Sequence, residues 1–455
     1  MAEEIRTASY SIIPHPDKNA VLMVVEEGDV WGFPAHPCTS AAEVNYRVER
    51  QFGLRVTVAT RFGERLDGKG PVYLLAHENH SRGNSIPGGA RWVGPEELKC
   101  LPLVHAEQRA IAEEWFAIGA DRDTAAVSPA AWARKGWFAE ASSWIAAEAK
   151  ENGLSAVGPV EQFACSPYSA TMRLPTSDGY IYFKAAPPEF HYEPELVRLL
   201  AERFPDRIPA VVTTDTERGW MLTRGVEPFW RLEPTLEHAD LYERMVRSYA
   251  RMQRDLLPTT SELDAMGVPD RRPAALPGLL EELLADTGAL LYDGAGALSR
   301  EEHLRLNDFV PQFRELCGRL DGLGLPAALV NVDFWRDNIA VTADGFTFFD
   351  WAESVMANPV QSMTMVLRDF VVHDVADKEE LHHRLLDAYL SEWTDLVSLE
   401  RLRKTHRIAQ PAGVLCRALS WRDSVASLGD PRRHQYLRPA VAGNTRRLLE
   451  FVDLV

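Results

Sequence analysis

Three residues in the last third of the 455-residue chain combine the types and spacing that phosphoryl transfer asks for. Asp333 and Asn338 lie five apart just after the apolar run ALV, and Asp350 closes the following run GFTFFD. Phosphoryl transfer needs a carboxylate to orient and deprotonate the attacking hydroxyl, and oxygen ligands to hold Mg²⁺ against nucleotide phosphates. Hard Mg²⁺ takes Asp and Asn oxygens. A cation must also reach the phosphates, and Lys184, at the end of an apolar-polar alternation, can supply it. Glu193, which opens EPELVRLLAERF, is placed to hold that lysine. An Asp-x4-Asn pair alone arises about once by chance in a chain this long at average composition. The order decides the matter: hairpin lysine, helix-start glutamate, Asp-x4-Asn after a strand, then Asp-Trp after a strand.

The elements that must position these residues follow from hydrophobic period and turn signals. VEQFACSPYSATMRLPTSDGYIYFK alternates around Asp178-Gly179, a hairpin signal. IPAVVTTD and GWMLTRG read as short strands, and the chain from about 237 onward is mostly helical, interrupted by two short strands joined at Asp344-Gly345. Earlier, residues 8–35 read as strands. Ser40-x-x-Glu43 then reads as a capping box for a helix with its stripe at Val44, Val48 and Phe52 and a stop at Gly53. Strands at 56–61 and 72–76 and a helix over 106–116 complete a first unit. A Trp-rich stretch, AWARKGWFAEASSWIAAEAKENGL, reads as a helical connector.

From about 155 to 455 the sequence resembles the aminoglycoside phosphotransferase family, which is kinase-like and includes small-metabolite kinases. The family's Asp-x4-Asn loop falls on Asp333 and Asn338, and its Asp-Trp element with a later proline on Asp350, Trp351 and Pro359. The resemblance implies that Asp333 is the catalytic base, that Asn338 and Asp350 hold Mg²⁺, and that Lys184 contacts ATP (or GTP) phosphates with Glu193 as its ion-pair partner. It further implies that Trp220–Gly225 links the two lobes beside the adenine. Two positions depart from the family. Asn331 stands where histidine is usual, and the phosphate loop CSPYSATM has no glycine, leaving Ser166 and Ser169 as the expected hydroxyl donors.

WGFP, a helix, then FGL before a strand, and RWVGPEEL near the unit's end resemble the Nudix fold. The acidic positions of its metal-binding helix fall on Arg47, Arg50 and Gln51, and arginine cannot replace a carboxylate at a cation. Only Glu43 and Glu49 remain, so a scaffold without catalysis is expected. His77 and His80 form an HxxH pair with no third ligand nearby, which reads as a loop pair.

The expectation is therefore an α+β protein. A degenerate Nudix-like α/β sandwich (1–119) and a helical connector (120–155) precede a bilobal protein-kinase-like fold, with an N-lobe over 156–228 and a mostly helical C-lobe over 229–455. The expected activity is ATP/Mg²⁺-dependent phosphorylation of a hydroxyl on a small molecule. The competing readings are a pseudokinase-type binding module and a Nudix hydrolase. A net charge of −17 without a basic segment argues against nucleic acid and tolerates a cationic substrate better. The absence of an apolar run of about 18 residues argues against a membrane span. Five scattered cysteines without a CxxC pair, and an opening without a signal-like pattern, lead to a cytoplasmic expectation.

Overall fold

The protein is described by a computed structural model that covers residues 7–26, 28–66, 71–81, 86–117, 130–375, 378–426 and 437–452. The chain is mixed α and β and divides into two compact units. One is Met1–Pro187 with Ala426–Tyr436, and the other is Pro188–Val425 with Leu437–Val455. The division falls inside the stretch expected as an N-lobe. The hairpin bearing Lys184 therefore belongs to the first unit and Glu193 to the second.

In the first unit, strands β1 (Ser9–Ile12), β2 (Val21–Val25), β3 (Trp31–Gly32), β4 (Ala35–His36), β5 (Val56–Leu66), β6 (Pro71–Asn79) and β7 (Ala90–Val93) form two sheets, ordered β4-β1-β6-β5 and β3-β2-β7. Only β1 and β6 run parallel. The helix Ala41–Phe52 buries Ala41, Val44, Val48 and Phe52 against Ile13, Leu22, Val56, Val58 and Leu75. Its four-residue apolar stripe dictates that face. Gly53 ends it at φ 69°, in the left-handed region where glycine has no Cβ to clash. The second core gathers Ile12, Met23, Phe33, Leu74 and Trp115, the last from the helix Glu107–Ala117.

The expected capping box is not formed. Ser40 is the N-cap residue, but its side chain makes no cap hydrogen bond. Glu43 instead accepts from Arg47 one turn on, at 2.7 and 3.0 Å. A charge-assisted bond to a guanidinium competes successfully with a neutral backbone amide.

The connector is a short turn at Ala131–Ala133 followed by the helix Trp137–Glu151. The Trp132 indole N–H donates to the Ser166 carbonyl at 2.9 Å, while Trp137 and Trp144 lie 6.1 and 5.7 Å from the Phe183 ring. Strands β8 (Glu161–Ser166), β9 (Ser169–Thr176) and β10 (Gly179–Ala185) form an antiparallel meander. The anticipated hairpin is present, with Gly179 at φ 106°. The meander is joined to the N-terminal sheets by Gln162, whose amide accepts from the Val58 N–H at 2.8 Å and donates to the Val58 carbonyl at 2.7 Å. The side chain thus acts as a strand partner for Val58, opposite a bulge where β5 leaves β6 between Val58 and Thr60.

The second unit opens with the helix Glu193–Arg203 and the hairpin of β11 (Val211–Asp215) and β12 (Trp220–Arg224), so the segment expected as a linker is a strand as far as Arg224. Helices then dominate, notably Ala239–Asp255, Arg300–Asp321, Met363–Val372, Lys378–Ser391 and Leu399–Ala426. The strand interruption is richer than the sequence suggested. Besides the anticipated pair β14 (Ile339–Thr342) and β15 (Gly345–Phe348), β13 (Ala328–Asn331) pairs antiparallel with β16 (Ser354–Ala357). SVMA is too short to announce itself by period. Phe334 stacks on Tyr249 at 3.9 Å, and Phe348 and Trp351 flank the same tyrosine. This aromatic floor lies beneath the loops that follow β13 and β15. Among the described residues no helix is long and apolar enough to cross a membrane.

Candidate active site

Asn331 ends β13, and its side chain joins two loops. The Asn331 amide donates to the Asp350 carbonyl at 2.8 Å and accepts from the Asp333 N–H at 2.9 Å. Its backbone N–H is held by the Tyr249 hydroxyl at 2.9 Å. A buried side chain with both ends satisfied fixes the loop carrying Asp333 against the one carrying Asp350. The Asn338 amide then donates to the carbonyl of Asp333 at 3.0 Å and to its carboxylate at 3.1 Å. The Phe349 N–H donates to the Asn338 carbonyl at 3.1 Å. Asp333, Asn338 and Asp350 are thereby brought into one locus.

Asp350 adopts φ 59°, unusual for a residue with a side chain. Such a conformation costs on the order of 1–3 kcal/mol and persists only where neighbours enforce it. Here Asn331 holds the Asp350 carbonyl, and the next amide, Trp351 N–H, donates to the buried Glu193 carboxylate at 3.1 Å. The neighbouring Tyr192 hydroxyl donates to the carbonyls of Ala352 and Ser354, the latter at 3.0 Å. Glu193 therefore supports the Asp350 loop within its own unit.

Arg417 was not among the residues expected at this site. This side chain, 11% exposed, reaches the Asp333 carboxylate at 2.8 Å with one nitrogen and the Glu353 carboxylate with the other. The Ser420 hydroxyl also donates to Glu353. Glu353 is thus part of this network. The available signal was an arginine inside the apolar run VLCRALSW with serine three residues on, on one face of a helix. No motif links it to Asp333, 84 residues earlier. Burial and the neighbouring Glu353 push the Asp333 carboxyl up to about 7, with Arg417 opposing, Asp350 adding to the rise, and the Asn338 hydrogen bond opposing it.

Lys184 lies near the end of β10 in the first unit. Ser166 and Ser169 close the β8–β9 turn, where their hydroxyls bond each other at 3.1 Å and Ser166 accepts from the Tyr168 N–H at 3.3 Å. A phosphate would compete with that pairing for the two hydroxyls. On the N-terminal helix, Glu43 is taken up by Arg47, as described above. His77 and His80 do not converge. The His77 ring meets Ser11 at 2.9 Å, whereas the His80 ring meets Thr57 at 2.8 Å. Among the described residues no cluster of three or more His, Cys, Asp or Glu side chains is arranged to hold a metal. The donor chemistry at the Asp333 locus nevertheless suits Mg²⁺. The Asn338 NH₂ is committed to Asp333, so its side-chain oxygen is the atom it could offer a cation, and Asp350 adds a carboxylate. One or two protein oxygens beside nucleotide phosphates is the usual protein share for this ion.

No family model and no curated protein matches the chain. Among solved structures it is similar to a choline/ethanolamine kinase family protein from Mesorhizobium loti, at 17% identity and TM-score 0.48, covering 70% of this chain and 95% of that one. It is also similar to a choline kinase from Streptococcus pneumoniae, at 15% identity and TM-score 0.46, covering 69% and 99%. A third is a type I macrolide 2'-phosphotransferase, at 16% identity and TM-score 0.43, covering 67% and 96%.

Proposed function

We propose that the second unit carries the acceptor site of an ATP-dependent phosphotransferase acting on a hydroxyl of a small molecule, with the bilobal kinase-like organisation expected from the sequence. The observation that carries this reading is the Asp333 carboxylate. It is clamped by Asn338 on one oxygen and Arg417 on the other, beside an Asp–Asn oxygen pair. Asp333 accepts the proton of the acceptor hydroxyl as its oxygen bonds to the γ-phosphorus. The bond from that phosphorus to the bridging oxygen breaks, and ADP leaves with the electron pair. Asn338 and Arg417 fix the carboxylate's direction, so little reorganisation is needed at the moment of transfer. Asn338 and Asp350 would hold Mg²⁺, which when bound neutralises charge on the phosphate oxygens. Lys184 is the proposed phosphate contact with Glu193 as its partner, and Ser166 and Ser169 are the proposed hydroxyl donors at the phosphate loop.

The first unit is, on this reading, a Nudix-like scaffold. The Glu43–Arg47 pairing supports a role without hydrolysis. The test separates binding from chemistry. In thermal-shift titrations of the full chain with ATP and GTP, Mg²⁺ should enhance the shift in wild type and Asp333→Ala, and Asp350→Ala should lose the Mg²⁺-dependent part. A Mg²⁺-dependent shift unchanged in Asp350→Ala would remove the metal assignment.

A further inference from the structure

A cavity of ≈ 200 Å³ has in its wall Arg417, the ion-pair partner of the proposed base. The wall also includes Trp335, two residues beyond Asp333, together with Arg368, Asp369, Val372 and Trp421. Sites that bury drug-sized ligands run to about 300–1,000 Å³, so this one suits a small acceptor. Trp335, Val372 and Trp421 supply apolar walls, and three charged side chains supply the polarity.

Two of those charges have an opposite charge within ion-pair distance. Arg417 is shared between Asp333 and Glu353. Asp369, buried on the helix Met363–Val372, has His373 at 3.3 Å and Arg336 at 3.6 Å, although neither of its oxygens receives a hydrogen bond. Arg368 differs. Among the described residues no carboxylate stands within ion-pair distance of it. The carboxylate that opposes the effect of its burial is Glu450, which lies 4.0 Å from Arg447 and is exposed. Arg447 crowds the same region, and one of its guanidinium nitrogens is buried without a hydrogen-bond partner. Burial lowers the pKa of both arginines, Glu450 opposes this in each, and Arg417 and Arg368 respectively repel them further. A half-buried guanidinium lining a cavity with no carboxylate at ion-pair distance is a place where an anion gains and a cation loses.

We infer that the acceptor is a small hydroxylated anion, a hydroxy acid or phosphorylated alcohol, whose carboxylate or phosphate is bound by Arg368 while its hydroxyl faces Asp333. The inference rests on Asp333 serving an acceptor hydroxyl, and it runs against the protein's net charge of −17, which on its own would suggest a cation.

The test uses the full chain and matched probes: glycerate, lactate, malate and glycerol 3-phosphate against glycerol and ethanolamine, titrated calorimetrically with Mg²⁺ and a non-hydrolysable ATP analogue. At least one anion should bind about ten- to a hundredfold more tightly than glycerol and ethanolamine, the range for a charge-assisted bond. Arg368→Met should abolish that preference and Arg368→Lys retain part of it, with circular dichroism confirming that both variants fold. If no anion outbinds glycerol or ethanolamine, or if Arg368→Met leaves the preference intact, the inference is wrong. Arg368-dependent anion binding without transfer to any probe would uphold the anion site and count against the phosphotransferase reading instead, so the two failures are distinguishable.

Discussion

Asn331 stands where the resemblance called for histidine, and its contacts show what an amide does there. One side-chain end takes the Asp333 N–H and the other reaches the Asp350 carbonyl. An imidazole also offers two opposed polar atoms, but an amide does so without a titratable charge. Arg417 is the residue on which the charge balance turns. Replacing it with methionine leaves Asp333 and Glu353 without their shared counter-charge, a change expected to cost about 3–5 kcal/mol. Adding Glu353→Gln should recover part of that loss, because one of the two uncompensated carboxylates is removed. A double-mutant cycle by urea unfolding reads the coupling. Strict additivity of the two substitutions would show that the network drawn around Arg417 is not energetically coupled.

At the scale of elements, Gln162 joins the meander to the N-terminal sheets by standing in for a strand. Substitution Gln162→Leu leaves the Val58 N–H and carbonyl without this partner, and about 1–3 kcal/mol of stability should be lost by urea unfolding. Asn45→Ala, which removes only the 2.9 Å bond that Asn45 donates to the same Gln162 oxygen, should cost less. Equal costs would mean that the Val58 pairing adds nothing. This junction was illegible in the sequence. Gln162 sits in an ordinary alternating strand, and its partner lies 104 residues earlier. Elements with a strong local period or turn were legible, such as the helix Ala41–Phe52 and the hairpins at Gly179 and Gly345. The Asp333, Asn338 and Asp350 locus was legible because a short loop after β13 and a second after β15 carry it. Arg417 and Glu353 were not, since their meeting depends on how the helix Leu399–Ala426 packs and no spacing encodes that. Ser40 and Glu43 misled because a capping-box spacing says nothing about an arginine one turn further along.

At the scale of the molecule, acid should weaken the fold through the first unit. His36, on β4, and His77, on β6, meet the Ser11 hydroxyl from either side at 2.8 and 2.9 Å. Burial, then Arg47, lowers the His36 pKa to about 4; burial, then His36, lowers His77 to about 3, with a weaker opposing hydrogen bond to Thr57. An unfolded chain binds these protons near pH 6.5, so it is the more protonated state between that pH and the folded values. The stability that follows is complete above about pH 6.5 and is lost as pH falls toward 4 and 3, at about 1.4 kcal/mol per unit for each histidine. Urea unfolding at pH 7, 6 and 5 should show the decline, and His77→Gln should flatten it. An equally steep decline in His77→Gln would assign the acid sensitivity elsewhere.

The proposed reaction moves phosphate from ATP to a hydroxyl beside Asp333. Phosphorus NMR of the full-length protein with MgATP and a panel of hydroxyl compounds, anionic, neutral and cationic, tests it most directly. For at least one compound a new phosphate-ester resonance should grow as the γ-phosphate signal of ATP falls. Asp333→Ala should reduce that rate by a factor of about 100 or more, the scale of general-base catalysis, while still binding nucleotide. An ester that forms equally fast in Asp333→Ala, or no ester from any of the compounds with nucleotide bound, would contradict it.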